Sequence, residues 1–211
     1  ILPYKNQKNY FKQIKKAINS NNRRKFIFAY WPKHDYLCHK FGVESKKTFS
    51  AFKRLDNGLK LFLDSIKNTD TIVIITADHG SIDVPKSRKI KIKNHKKLEE
   101  TLSLPICGDN RYAFCYVKSD KRMQFENYIK TKLKKYCWLY KSKNLVKKGI
   151  FGLEKPSSKF LERIGDYTLI MKENYGIYEI LAGEKERYNI GEHGGLSKEE
   201  MYVPLIVINT Q

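Results

Sequence analysis

Apolar residues along the chain fall into a small set of periodic blocks. Residues 4–20 place Tyr10, Phe11, Ile14, Ala17 and Ile18 at helical spacing with lysines between them, and Asn19–Asn22 end the pattern. Residues 25–31, KFIFAYW, read as a strand, and PKHDYLCHKFG follows as a loop. Residues 44–67 carry Phe49, Phe52, Leu55, Leu59, Phe62 and Ile66 as one stripe at steps of three and four, which predicts a long amphipathic helix. Residues 71–76, TIVIIT, are apolar at nearly every position, as a strand covered on both faces would be.

This strand–helix–strand order predicts a right-handed parallel crossover. In such sheets ligands gather just past the C-terminal ends of the strands. Asp35 lies past the first strand and Asp78 past the second. Residues 81–104 read as a basic, irregular excursion. Further strands are expected at 111–117 (RYAFCYV), at CWLY and at 203–209 (VPLIVIN), with a helix over 119–136. The region from about 105 to 185 reads as an α+β insertion between two core elements.

Composition changes this picture in three ways. The 211 residues can bury a substantial core, and 41% apolar content fits a globular chain rather than a disordered one. No apolar run is long enough to span a bilayer. The net charge of +20 suggests a polyanionic partner such as nucleic acid. Lysine dominates the basic residues, however, and is spread along the chain with much asparagine. That mix reads as coding bias, so nucleic acid is not the favoured partner. The four cysteines, Cys38, Cys107, Cys115 and Cys137, have no metal-knuckle spacing. They read as reduced thiols, which favours a reducing compartment such as the cytoplasm.

Candidate chemistry gathers in three clusters: Asp35-x-x-x-His39 with Gly42 after it, Asp78-His79-Gly80, and His193-Gly194-Gly195. Asp and His are oxygen and nitrogen ligands suited to zinc and similar divalent ions. A spacing of four puts Asp35 and His39 on one side of a helical turn. The glycines after His79 and His193 suit tight backbone near a crowded site. A single Asp-x-x-x-His is common by chance, and an isolated Asp-His pair could simply cap a segment. Joint placement beside predicted strands is what makes the set informative. His34 is expected to be exposed or to support a ligand from behind, and His95 to be solvated in a lysine-rich loop.

The segments YWPKHDYLCHKFGVESKKTF…RLDNGL, TIVIITADHGSID and GEHGGLSKEEMYVPLIV, in that order, resemble the alkaline phosphatase superfamily. They are closest to its type I phosphodiesterase and nucleotide pyrophosphatase branch. The middle of the chain matches more loosely, through CGDNRYAFCYV and RIGDYTLI. The resemblance implies an α/β, alkaline-phosphatase-like three-layer core with a mainly parallel sheet. It also implies two divalent metal ions, zinc or manganese, about 4 Å apart. One ion would take Asp35, His39 and His193, the other Asp78 and His79. The substrate would be a phosphate ester, attacked in line by a Thr or Ser nucleophile.

In the family that nucleophile and a further Asp ligand lie upstream of the Asp35 motif. Residues 1–24 contain no Asp and no Thr, Ser20 sits in no matching context, and Ser81 is a loop residue. Residues 1–211 are therefore expected to be the C-terminal portion of a catalytic domain, with the N-terminal part and its nucleophile outside this chain. The expected function is a metal-dependent phosphoric ester hydrolase, a phosphodiesterase or nucleotide pyrophosphatase. The alternatives are another superfamily activity (phosphomonoesterase, sulfatase or phosphomutase) or a non-catalytic basic module that binds nucleic acid. Substrate identity and oligomeric state are not legible in the sequence.

Overall fold

The computed structural model describes residues 1–21, 24–185 and 188–211. In chain order its first half holds α1 (Gln7–Ile18), α2 (Lys33–Phe41), α3 (Lys46–Ser65), β1 (Ile72–Ile75), β2 (Ile82–Asp83), β3 (Lys89–Lys91), α4 (Lys96–Glu99), β4 (Cys107–Asp109) and β5 (Tyr112–Cys115). The second half adds α5 (Arg122–Tyr128), β6 (Cys137–Lys141), α6 (Ser142–Lys147), α7 (Ser158–Arg163), β7 (Tyr167–Met171), β8 (Gly176–Tyr178), β9 (Gly191–Glu192), α8 (Lys198–Met201) and β10 (Ile206–Asn209). Two compact units emerge, one formed by residues 1–78 and 203–211, the other by residues 79–202. The boundary thus falls between Asp78 and His79. The region 105–185 lies inside the second unit.

In the first unit, α1 starts where the Asn6 side chain accepts from the Asn9 amide. Its apolar face meets α3, with the Phe11 and Phe62 rings stacked at 5.3 Å. Gln7 Nε2 donates to the Arg54 carbonyl at 2.6 Å, close over Gly58. The predicted long helix is α3, capped by Ser45. The segment expected to be a loop, by contrast, is helical as α2. Pro32 precedes it with helical backbone angles, and Gly42 at φ 94° ends it, so the Pro and Gly that looked like loop signals bound a helix.

Strand β1 pairs antiparallel with β10, Ile72 opposite Asn209 and Ile75 opposite Ile206. A hydroxyl cluster of Thr69, Thr71 and Thr210 closes the end of this ladder. Residues 25–31, expected as a strand, make no ladder among the described residues. They keep an apolar run, with Phe26 92% and Phe28 82% exposed, but among the described residues no neighbour supplies the backbone pairing that a strand requires. The expected parallel crossover is therefore not seen.

The second unit is built on an antiparallel sheet in the order β4-β5-β7-β6. Central strand β7 is buried at all five positions, and its Leu169 shares the core with Phe125, Ile129 and Leu133. The stretch 81–104 is ordered rather than irregular. β2 pairs with β9, β3 with β8, and Ile92 and Leu98 enter the core. The α/β class holds, but the strand directions differ from the expected mainly parallel sheet: among the described residues β3–β8 is the parallel pair. Apolar runs identify strands without naming their neighbours, so direction was not readable.

No disulfide joins the cysteines; Cys38, Cys115 and Cys137 are buried and Cys107 is exposed. Among the described residues no helix is long and apolar enough to cross a membrane.

His95 corrects the expectation of a solvated side chain. It is half-buried, with Nδ1 2.8 Å from the Tyr128 hydroxyl. Burial holds its imidazole below the ordinary value of 6.5. The unfolded chain therefore accepts a proton that the folded one resists. This contribution to stability is fully present above about pH 6.5 and is lost as pH falls through the depressed folded value. We expect His95→Gln, which keeps a polar partner for Tyr128, to lessen the fall in melting temperature between about pH 7.5 and pH 5.5. An identical fall in both proteins, followed by differential scanning fluorimetry, would contradict this reading.

Candidate functional site

Each unit carries part of the motif set. In the first unit, α2 presents Asp35 and His39 one turn apart, with Asp35 Oδ1 3.3 Å from His39 Nε2. The spacing of four is thus realised as one helical face. His34 points the other way, as its neighbouring position requires, but it is not exposed. Its half-buried ring lies 5.7 Å from the Phe52 ring, and its Nε2 is 3.7 Å from Cys38 Sγ. Burial lowers its pKa and the Asp35 charge opposes that shift.

Asp78 follows β1 on exposed backbone. The phenol of Tyr30 lies beside it: the charge of Asp78 raises the Tyr30 pKa first, with burial, Asp35 and a hydrogen bond to Asp78 adding to the shift. Tyr30 is therefore within electrostatic reach of both carboxylates expected to hold metal. Its backbone carbonyl accepts from the Tyr4 hydroxyl at 2.6 Å.

In the second unit the two remaining histidines come together. The His79 and His193 rings stack with centroids 3.8 Å apart and planes 20° from parallel. His79 Nδ1 lies 2.9 Å from the Gly80 carbonyl. A carbonyl only accepts, so Nδ1 carries the proton, and in the neutral ring Nε2 is the atom with a lone pair to offer. His193 Nδ1 is 3.9 Å from Asp109 Oδ2, at the tip of the β4–β5 hairpin. Two imidazoles in such contact repel each other when both are protonated, whereas neutral rings can each serve a cation.

The backbone around the pair is tightly held. Gly194 has φ 92°, a conformation that favours glycine, and a Cβ there would also meet the Asp109 side chain at 2.8 Å. Ser197 opens α8 with a capping box whose fourth member is Glu200. The Glu200 carboxylate is buried and accepts from the Gly195 amide at 2.9 Å, while the Arg111 guanidinium donates to both of its oxygens at 2.9 and 2.8 Å. Burial alone would raise the Glu200 pKa, but the Arg111 hydrogen bonds and charge outweigh it and hold the carboxyl below the ordinary value.

On the β9 side, Glu192 accepts from the Tyr178 hydroxyl at 2.9 Å and lies 4.0 Å from the buried Lys89 ammonium. Burial and the Glu192 charge together raise the Tyr178 pKa.

Sequence reasoning singled out Asp35, His39, Asp78, His79 and His193, and missed Asp109, Arg111, Glu192 and Glu200. One signal was available. Ser197-Lys-Glu-Glu200 reads as S-x-x-E, a capping box, directly after the His-Gly-Gly motif. Arg111 carries no such signal, because its partner is distant in sequence.

The donor chemistry fits divalent cations. Neutral imidazoles and carboxylates are the ligand types of zinc and manganese. Two-metal sites space their ions roughly 3.5–4 Å apart. The stacked histidines are those expected to serve different ions, and their separation is of that order.

A family model described as type I phosphodiesterase / nucleotide pyrophosphatase matches residues 3–196. Alkaline phosphatase PhoK from Sphingomonas is 36% identical over 74 residues, which is 34% of this chain and 13% of that protein. Murine ectonucleotide pyrophosphatase / phosphodiesterase 5 superposes with a TM-score of 0.69 at 19% identity, over 98% of this chain and 54% of its own. Phosphonoacetate hydrolase from Sinorhizobium meliloti superposes with a TM-score of 0.58 at 21% identity, over 82% of this chain and 43% of its own. The chain therefore has the alkaline-phosphatase-like α/β fold in part, spanning about half of the murine protein.

The close approach at Gly80 gives a direct check on this geometry. Its amide donates to the Glu200 carbonyl at 2.8 Å, and a Cβ added there would lie 1.9 Å from the Glu199 carbonyl oxygen. Gly80→Ala is expected to cost about 1–3 kcal/mol through overpacking against backbone that cannot yield. Urea denaturation of the two proteins measures this. An unchanged midpoint would contradict the close approach.

Proposed function

The chain belongs to the type I phosphodiesterase / nucleotide pyrophosphatase family, and we propose that it forms part of a metal-dependent phosphoric ester hydrolase acting on phosphodiester or pyrophosphate bonds. The observation that carries this reading is the His79–His193 stack at 3.8 Å, which joins two motifs far apart in sequence inside one unit. The stack brings two nitrogen donors of the kind that zinc takes to one place.

In this reading Asp35, His39 and His193 hold one divalent cation, and Asp78 and His79 hold the other. Zinc is favoured by the nitrogen-rich donor set and manganese is the second choice. The cations supply positive charge at the phosphoryl oxygens and at the attacking and leaving oxygens. The chain's own residues do the positioning. The Gly80 carbonyl fixes which His79 nitrogen can serve as a ligand, because it holds the proton on Nδ1. Gly194 lets the His193 loop turn where a side chain would collide with Asp109. Asp109 places a negative charge beside His193, which favours an oriented ring. The nucleophile, a Thr or Ser, belongs to a segment outside these residues, as does a further Asp ligand.

The net charge of +20 supports a second reading, a basic module that binds nucleic acid. Its mark would be a steep loss of affinity with added salt.

The test is hydrolysis of an aryl phosphodiester with added zinc, using the full-length protein, its His193→Ala form and the 211-residue chain. We expect turnover by the full-length protein, a loss of more than roughly 100-fold in His193→Ala, and little activity in the 211-residue chain. Equal activity of the full-length protein and this chain would overturn the assignment of the nucleophile. No hydrolysis by the full-length protein, together with salt-sensitive nucleic-acid binding, would favour the second reading.

A further inference from the structure

Glu200 contributes to neither expected ligand set, yet both histidine loops end on it. Its carboxylate accepts from the Gly195 amide at 2.9 Å, two residues past His193. Its backbone carbonyl accepts from the Gly80 amide at 2.8 Å, one residue past His79. The carboxylate is in turn fixed by the Arg111 fork at 2.9 and 2.8 Å and by the Ser197 amide at 3.3 Å. Arg111 is only 1% exposed and is itself held by the backbone carbonyls of Glu173 and Tyr175. The histidine loops are thus tied, through Glu200 and Arg111, to the loop between β7 and β8.

We infer that Glu200 is a positioning residue that sets the spacing of the His79–His193 pair, with Arg111 fixing its carboxylate in place. The inference rests on the reading of those histidines as ligands for its consequence, but not for its geometry. A carboxylate paired with a guanidinium fork has little freedom to rotate. The Gly195 and Ser197 amides that bond to it inherit that rigidity, and the backbone carbonyl of the same residue holds the Gly80 amide, so ring separation is set before any ligand arrives. Without the carboxylate, the Gly195 amide and the Arg111 charge would both lose a buried partner and the loop would move. Outer residues that orient metal-binding histidines typically change metal affinity about 10–100-fold when altered.

The test uses this chain and its Glu200→Gln variant, with two readouts. In the metal-free proteins, histidine side-chain NMR reports the stacking through ring-current shifts of the His79 and His193 ring protons. We expect those shifts to collapse in Glu200→Gln while the remaining spectrum stays dispersed. Zinc affinity, measured by chelator competition, should fall about 10–100-fold. A purely structural role would lower the melting temperature yet leave both the ring shifts and the zinc affinity of the folded variant at wild-type values, and that result would overturn the proposal. If neither protein binds zinc, the ligand reading fails while the ring shifts still decide the positioning role. If Glu200→Gln does not fold, Gly195→Ala replaces it. A Cβ there would lie 2.5 Å from the Glu200 carboxylate, so the loop must leave the carboxylate while the Arg111 pair remains. Retained stacking in that variant would equally overturn the inference.

Discussion

A carboxylate and a guanidinium, both almost fully buried, must satisfy each other or destabilise the fold. Arg111 and Glu200 meet that requirement at 2.9 and 2.8 Å, and the remaining polar capacity is taken by backbone amides of the loop before α8 and backbone carbonyls of the loop between β7 and β8. Replacing such a pair by apolar residues can be neutral for stability, but removing one partner leaves an uncompensated buried charge. The pair is therefore better understood through what it fixes than through what it contributes to stability. It fixes the two loops that bring His79 and His193 ring to ring, and it does so from a sheet whose central strand β7 is wholly buried.

Much of this was legible in the sequence, for identifiable reasons. The apolar stripe of 44–67 became α3, because a period near 3.6 over many residues has few other solutions. The run at 71–76 became β1, but one face is open, with Ile72 and Ile74 exposed, rather than covered on both sides as its apolar run suggested. The four-residue spacing of Asp35 and His39 fixed their shared face even though the segment was read as a loop. The segment is a short helix bounded by Pro32 and Gly42. Residues 25–31 show the converse. Their apolar run is that of a strand, but a strand needs a partner, and partnership is not a local property.

Pairings distant in sequence account for the rest. The Arg111–Glu200 pair spans 89 positions, and Asn110 reaches Glu192 across 82. No single-sequence pattern announces such contacts. The exposure expected for His95, and as one alternative for His34, failed for a related reason. Their neighbours in sequence are polar, whereas their neighbours in space are Phe52 and Tyr128. The ligand candidates were found because metal-binding residue types recur beside glycine in short motifs that lie within the family match.

The central claim is that this arrangement of histidines exists to hold divalent metal. Anomalous diffraction at the zinc edge, from crystals of the chain soaked in zinc, tests it most directly. The account predicts anomalous peaks about 2 Å from His79 Nε2 and from a ring nitrogen of His193. Zinc bound elsewhere, with the two rings still stacked and no density against either, would contradict it.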